Sequence, residues 1–277
     1  VLVQQEDQEL LSLYLDKQMA QAPTTRMALT GVGAGIPAWD PLTLSQTQAW
    51  FRSDVTTYLF QDQSGTVPVV NPGDGVMCWG DHKSNGVLRA TVANASFRGV
   101  YQSDGIQAFS ASSFLTVNTP IKKTPTDKFT VYVVLQRVTL ADPCVPWADT
   151  TGTNSWCHWA NDSTFSWVDE SGVSGVSLVI VAGRSVMVRL RFNNNLNGSA
   201  SMIAASGYAQ ITGTLMNGGN VEIGQFFRNT ILGTGSGGTC RFRHILVLDE
   251  NTIPLSPTDM TNVENWFIAN EGVNAIP

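Results

Sequence analysis

Four of the chain's eight tryptophans, Trp147, Trp156, Trp159 and Trp167, fall in one short window that also carries His158, Asn161, Asp162, Asp169 and Glu170. Aromatic rings offer flat apolar faces, while amides and carboxylates offer planar hydrogen-bond partners. A sugar presents both C–H faces and hydroxyls, so it needs both kinds of group. The set Trp147, Trp156, His158, Trp159, Asn161 and Asp162 is therefore the candidate carbohydrate contact, with Gly152–Asp162 read as a loop of small polar residues. The same tryptophans would equally serve a subunit contact or local packing, and Trp167, in a β-type run, reads as core.

Signals for covalent chemistry are weaker. Hydrolysis by paired carboxylates needs two acids held about 5 Å apart in retaining enzymes. The spacing E-x-D-x-x-E that places them on alternate strand positions is absent. The acidic pairs Asp169-Glu170 and Asp249-Glu250 are adjacent residues that face opposite sides of a strand. Gly172-Val173-Ser174-Gly175-Val176 misses the G-x-S-x-G of a serine nucleophile by one residue. The expectation is a protein that is not an enzyme. Gly233–Gly238 matches G-x-G-x-x-G, but a strand, Cys240–Leu248, follows where a nucleotide site needs a helix. His82, His158 and His244 lie far apart and show no zinc spacing. No cofactor is expected. Asp74, Asp81 and Asp162 are candidates for calcium, against the plainer reading of Asx turns. The cysteines, Cys78, Cys144, Cys157 and Cys240, form no C-x-x-C. They read as buried free thiols, with a Cys144–Cys157 bridge as the alternative.

These residues need a scaffold, and the composition describes it. The chain of 277 residues is 43% hydrophobic and only 14% charged, with 25 glycines, a balance that suits strands and turns. A net charge of −6 argues against a nucleic-acid surface. No apolar run reaches the roughly 18 residues of a membrane span. The first twenty residues lack a basic n-region before Glu6-Asp7-Gln8-Glu9, so they are not expected to be a secretory leader.

Residues 4–20 read as an amphipathic helix, with Leu10, Leu11, Tyr14 and Leu15 on one face. Ala22–Ser45, rich in proline and glycine, reads as a linker. Residues 1–45 are thus expected to be an anchoring or oligomerising arm, and 46–277 a single β domain. From residue 46 onward, short β-type runs recur between turn signals. Gly183-Arg184 reads as a hairpin turn between runs at 175–182 and 185–193. In the second run, Val186, Val188 and Leu190 alternate with Met187, Arg189 and Arg191, which predicts one buried and one wetter face. Trp79 and Phe129 are expected in the core. A helix is predicted over 257–270, with Ser256 as N-cap, a stripe of Met260, Val263 and Phe267, and Gly272 as its stop.

Asp74–Gly86 packs a polar turn, the apolar Val76, Cys78 and Trp79, and a second turn of Ser84-Asn85-Gly86 into a few residues. Asn and Gly tolerate left-handed backbone, which suits that turn. The order resembles the W-x-D-x-S-G-N-G stretch of concanavalin A-like lectin/glucanase sandwiches, the laminin G-like jelly rolls. Four further stretches stand in family order with it, Ala49–Asp62 upstream and Asp104–Leu115, Lys128–Val134 and Phe242–Pro257 downstream. Phe109-Ser110-Ala111-Ser112-Ser113 departs from the family's acidic F-D-G-S-D-D, so no ligand or metal role of those acids transfers. The resemblance implies an all-β, two-sheet antiparallel jelly-roll sandwich with an N-terminal helical arm and a C-terminal helix. It implies a phage virion structural protein, a capsid decoration or tail-associated subunit, with a lectin-like domain. Its partners would be other virion subunits or its own copies, and a cell-surface glycan. The alternatives are a secreted bacterial carbohydrate-binding module and a purely structural virion subunit without a glycan site.

Overall fold

The computed structural model describes residues 39–108, 114–138, 144–150, 156–159, 164–169, 172–177, 181–194, 197–204, 207–214, 220–227 and 240–271. The helix expected over 4–20, with Leu10, Leu11, Tyr14 and Leu15, lies outside them, as do the Gly233–Gly238 segment and Gly272.

Among the described residues the chain forms two antiparallel sheets of nine strands each and one helix. The first sheet holds β1 (Thr47–Arg52), β3 (Gly75–Val76), β6 (Gly99–Gln102), β7 (Gly105–Ala108), β9 (Phe129–Arg137), β14 (Ser185–Asn194), β15 (Asn197–Ala204), β16 (Gly207–Thr214) and β18 (Cys240–Asp249). Its order is β16-β15-β14-β9-β18-β7-β6-β3. β7 and β1 share one edge of β18: β7 pairs at Arg241 and Phe242, and β1 pairs from His244 to Leu248. The second sheet holds β2 (Leu59–Phe60), β4 (Cys78–Gly80), β5 (Arg89–Thr91), β8 (Leu115–Lys123), β10 (Cys144–Ala148), β11 (Trp156–Trp159), β12 (Thr164–Asp169), β13 (Gly172–Ser177) and β17 (Val221–Phe226). Its order is β13-β12-β11-β10-β17-β8-β5-β4-β2. The helix, α1, spans Pro257–Glu271.

The sheets pack face to face through aromatic side chains, as an all-β sandwich requires. Phe51 of the first sheet meets Trp79 and Phe226 of the second edge-on, at centroid distances of 5.6 and 4.8 Å. Trp79 and Phe129 are fully buried, as expected. The Trp79 indole N–H is satisfied by the Arg52 carbonyl at 2.9 Å, which removes the cost of burying a polar group.

A second apolar cluster lies on the other face of the first sheet. Trp50, Tyr132, Val134, Met187, Leu246 and Leu248 pack there with Val263 and Phe267 of α1. The sheet is therefore buried on both faces, which is why seven consecutive residues of β9, Phe129–Leu135, are buried without alternation. The wetter face expected for β14 is covered as well. Met187 is fully buried, while Arg189 and Arg191 pair with Glu264 and Glu250 beneath the helix.

Two boundaries differ from the sequence reading. Trp39–Ser45 belongs to the sandwich unit rather than to a linker: Leu44 is buried, and Trp39 and Leu42 pack beside it. The Asp40 carboxylate caps a 3-10 turn at Pro41–Thr43. Gly183 does turn the chain, with φ of +76°, but among the described residues the runs around it do not pair with each other. β13 ends the second sheet, whereas β14 pairs with β9 and β15 in the first. Local sequence marks a turn; it does not say which strand the chain rejoins.

Candidate functional site

The Asp74–Gly86 stretch works as scaffold. Asn85 and Gly86 are left-handed, with φ of +53° and +78°. The buried Asp81 carboxylate accepts from the backbone N–H of Trp50, Lys83 and Ser84, tying β1 to this turn. Asp74 accepts from Val70 and Asn71 N–H at 2.9 and 2.8 Å, and these two bonds lower its carboxyl below the usual range. Both acids thus spend oxygens on backbone amides as Asx turns do. Cys78 is a buried free thiol, pushed up to about 11 by burial, so it is poorly nucleophilic. Cys240 is disulfide-bonded, which corrects the expectation of four free thiols.

Of the expected loop Gly152–Asp162, the described residues Trp156–Trp159 form a strand. Trp147 is 2% exposed within the main core and pairs with Phe226 of β17, so it faces no ligand. Packing between the sheets, which the sequence does not display, decides its place. Trp156, His158 and Trp159 belong to β11, a strand held between β10 and β12, in register with Val168, Ser166 and Phe165. Asn161 and Asp162 lie outside the described residues.

A different concavity carries aromatic and amide groups together. It lies on the outer side of the second sheet where β5 pairs with β8, and it encloses about 490 Å³. Ala90 and Val117, paired in register, are buried in the core. Strand alternation then turns Thr91, Thr116 and Asn118 outward. Phe97, ending the 3-10 turn Ala95–Phe97, and Phe114, leading into β8, are half-buried and stacked at 5.7 Å with a 25° interplanar angle. The Phe114 N–H donates to the Phe97 carbonyl at 3.0 Å, which fixes the two rings relative to each other. Asn94 caps the turn through the Ser96 N–H at 2.9 Å. Asn118 bridges the Arg89 N–H and the Val87 carbonyl. Gln63, Asn94 and Asn118 bring amides to the walls, and Thr91 and Thr116 bring hydroxyls. The site is a rigid apolar platform edged by uncharged hydrogen-bonding groups. Sequence reasoning missed it, although the alternation Phe114-Leu115-Thr116-Val117-Asn118 carries the signal: polar residues interleave with two core residues.

No family model matches the chain, and no curated protein does. Solved structures resemble it distantly. Trypanosoma rangeli sialidase matches at 12% identity and a TM-score of 0.49, over 94% of this chain and 38% of that one. A protein of unknown function from Shewanella oneidensis MR-1 matches at 11% identity and a TM-score of 0.39, over 79% of this chain and 96% of the other. This chain thus spans well under half the length of the sialidase. The expectation that the protein is not an enzyme is corrected on this finding, because structures of sialidases are among those it resembles. A resemblance at that level gives this chain no activity either.

Proposed function

We propose that the sandwich is a carbohydrate-binding domain and that the β5–β8 groove is its glycan site. The observation that carries this reading is the stacked, half-buried Phe97–Phe114 pair lining a 490 Å³ concavity with three amides and two hydroxyls. A sugar ring would lay a C–H face on the phenyl platform and exchange hydrogen bonds with Gln63, Asn94, Thr91 and Thr116. Among the described residues the groove lining carries no charged side chain, which favours neutral sugars over acidic ones. With this goes the finer fold reading, a laminin G-like jelly roll, and the setting it implies, a virion surface subunit. Those two rest on the ordered motifs around Trp79, Phe129 and Leu255 and on the amphipathic helix expected over residues 4–20.

The test is a glycan array probed with the parent protein and with the double variant Phe97→Ala, Phe114→Ala. Binding to a defined set of neutral glycans, lost in the variant while its circular dichroism is unchanged, is the expected result. Parent-level binding by the variant rejects the groove. Loss of binding on replacing Trp156 and Trp159 instead would return the site to β11.

A further inference from the structure

A second constellation sits across the molecule, where β1, β18 and α1 converge. Asp54 follows β1, His244 lies on β18, and Glu271 closes the described helix. One donor atom from each lies within 4.8 Å of the other two. His244 Nε2 is 2.7 Å from Glu271 Oε1 and 3.8 Å from Asp54 Oδ1. Donor atoms around one zinc ion, each about 2.0–2.2 Å from the metal, sit roughly 3.3 Å apart, so the observed separations bracket that spacing.

The histidine provides the independent observation. His244 is 0% exposed, and neither ring nitrogen makes a hydrogen bond. Nε2 lies 2.7 Å from Glu271 Oε1 without the alignment of a hydrogen bond, and Nδ1 has no hydrogen-bond partner. Trp50, Trp266 and Phe267 surround the ring at 5.9, 5.6 and 5.3 Å and supply apolar neighbours. A buried polar group left this way costs free energy unless something completes it. Asp54 and Glu271, together with Ser53, Ser103 and Arg243, line a cavity of about 200 Å³, which has room for the waters that finish a coordination shell.

We propose that Asp54, His244 and Glu271 form a binding site for a divalent transition-metal ion of the zinc class. One imidazole nitrogen with two carboxylate oxygens suits zinc better than magnesium or calcium, which favour oxygen-only shells. The outer arginines orient the ligands. Arg243 donates to Glu271 Oε2 at 2.9 Å and so leaves Oε1 toward the histidine. Arg52 holds Asp54 through Nε at 3.0 Å and Nη2 at 2.6 Å. Both arginines also repel a cation, which limits affinity to a moderate range. A bound ion would fasten the end of α1 to β18 and to the end of β1, and ligand linkage then makes the fold more resistant to heat.

The experiment uses the tag-free full chain after dialysis against a chelator. Zinc is titrated by calorimetry, and cobalt(II) by visible absorption. The expected result is one ion per chain, visible cobalt d–d bands, and a thermal midpoint that rises with zinc concentration. Asp54→Asn and His244→Ala should each weaken binding by about tenfold or more, in line with the loss of groups that hold or orient a metal. The Asp54 side chain is 29% exposed, so its variant tests the site even where the histidine variant does not fold. No heat and no cobalt absorption in the parent overturns the proposal and leaves the trio as an ion-paired clamp. Parent-like affinity in Asp54→Asn overturns it too, by moving the ion elsewhere.

Discussion

His82 shows how one side chain can read out the packing around it. It is half-buried, with its ring edge-on to Tyr58 at 4.7 Å, and its Nε2 has no hydrogen bond. Burial first, and the charge of Arg52 second, lower it from 6.5 to about 4. The folded state therefore binds this proton more weakly than the unfolded chain does. Its contribution to stability is complete above about 6.5 and declines as pH falls toward 4. The urea midpoint should drop across that window, and His82→Gln should flatten the decline. A parent-like slope in the variant would show that His82 is not its source. Trp79, fully buried against Phe51, Phe226 and Phe227, tests packing without charge. Replacing it by alanine should cost about 3–5 kcal/mol, read from a denaturant midpoint. A shift near zero would mean that the core closes around the cavity.

At the scale of elements, α1 is held by more than its apolar stripe. Ser256 and Asp259 cap its N-terminus reciprocally: the Asp259 N–H donates to Ser256 Oγ at 3.0 Å, and that hydroxyl donates to Asp259 Oδ2 at 2.6 Å. Beneath it, Glu264 pairs with Arg189 and accepts from the Tyr132 hydroxyl. Burial raises the Glu264 carboxyl despite the Arg189 charge. Glu250, at the end of β18, is the better-satisfied acid. It accepts from Thr130 Oγ1 at 2.5 Å, from the Leu255 N–H at 2.9 Å and from Arg191 Nη2 at 2.7 Å. This one carboxylate joins β9, β14 and the loop that launches the helix. Glu250→Ala would leave the Arg191 charge partly buried and unpaired, a change that costs about 3–5 kcal/mol. Chemical denaturation measures it; a loss under about 1 kcal/mol, the level of a surface pair, would show that the network is redundant.

Across the whole molecule, acid should loosen turns that carboxylates hold. Asp127 accepts from the Thr124 N–H and hydroxyl and from Asn251, and these bonds outweigh its slight burial to lower its carboxyl. Glu222 is lowered in the same way: burial opposes, but hydrogen bonds from Thr150 and the ion pair with Lys122 prevail. Both groups bind protons more weakly folded than unfolded. Their stabilisation is present above the ordinary carboxylate range of about 4 and is lost as pH falls below it. A denaturation series from pH 5 to pH 2 should show a falling midpoint, less steep in the double variant Asp127→Asn, Glu222→Gln. An equal slope in both proteins would assign the acid lability elsewhere.

Much of the architecture was legible in the sequence because it depends on local pattern. The β-rich composition, the buried Trp79 and Phe129, the left-handed Asn85-Gly86 turn and the capped helix over Pro257–Glu271 all follow from spacing and residue type. The polar side of β14 misled, because whether an outward arginine meets water or a helix is decided by a segment some seventy residues away. The candidate sites were hidden for the same reason. Trp147 reads as a ligand platform in a one-dimensional window but is consumed by the contact between sheets. Phe97 and Phe114 become a platform only once β5 and β8 pair and bring the 3-10 turn beside β8. Asp54 is separated from His244 and Glu271 by most of the chain. They meet because β1 takes the free edge of β18 and α1 folds back across the same sheet. Local sequence determined which elements form; the pairing of distant strands decided which side chains share a cavity, because chain reversal and burial act on contacts that no short window contains.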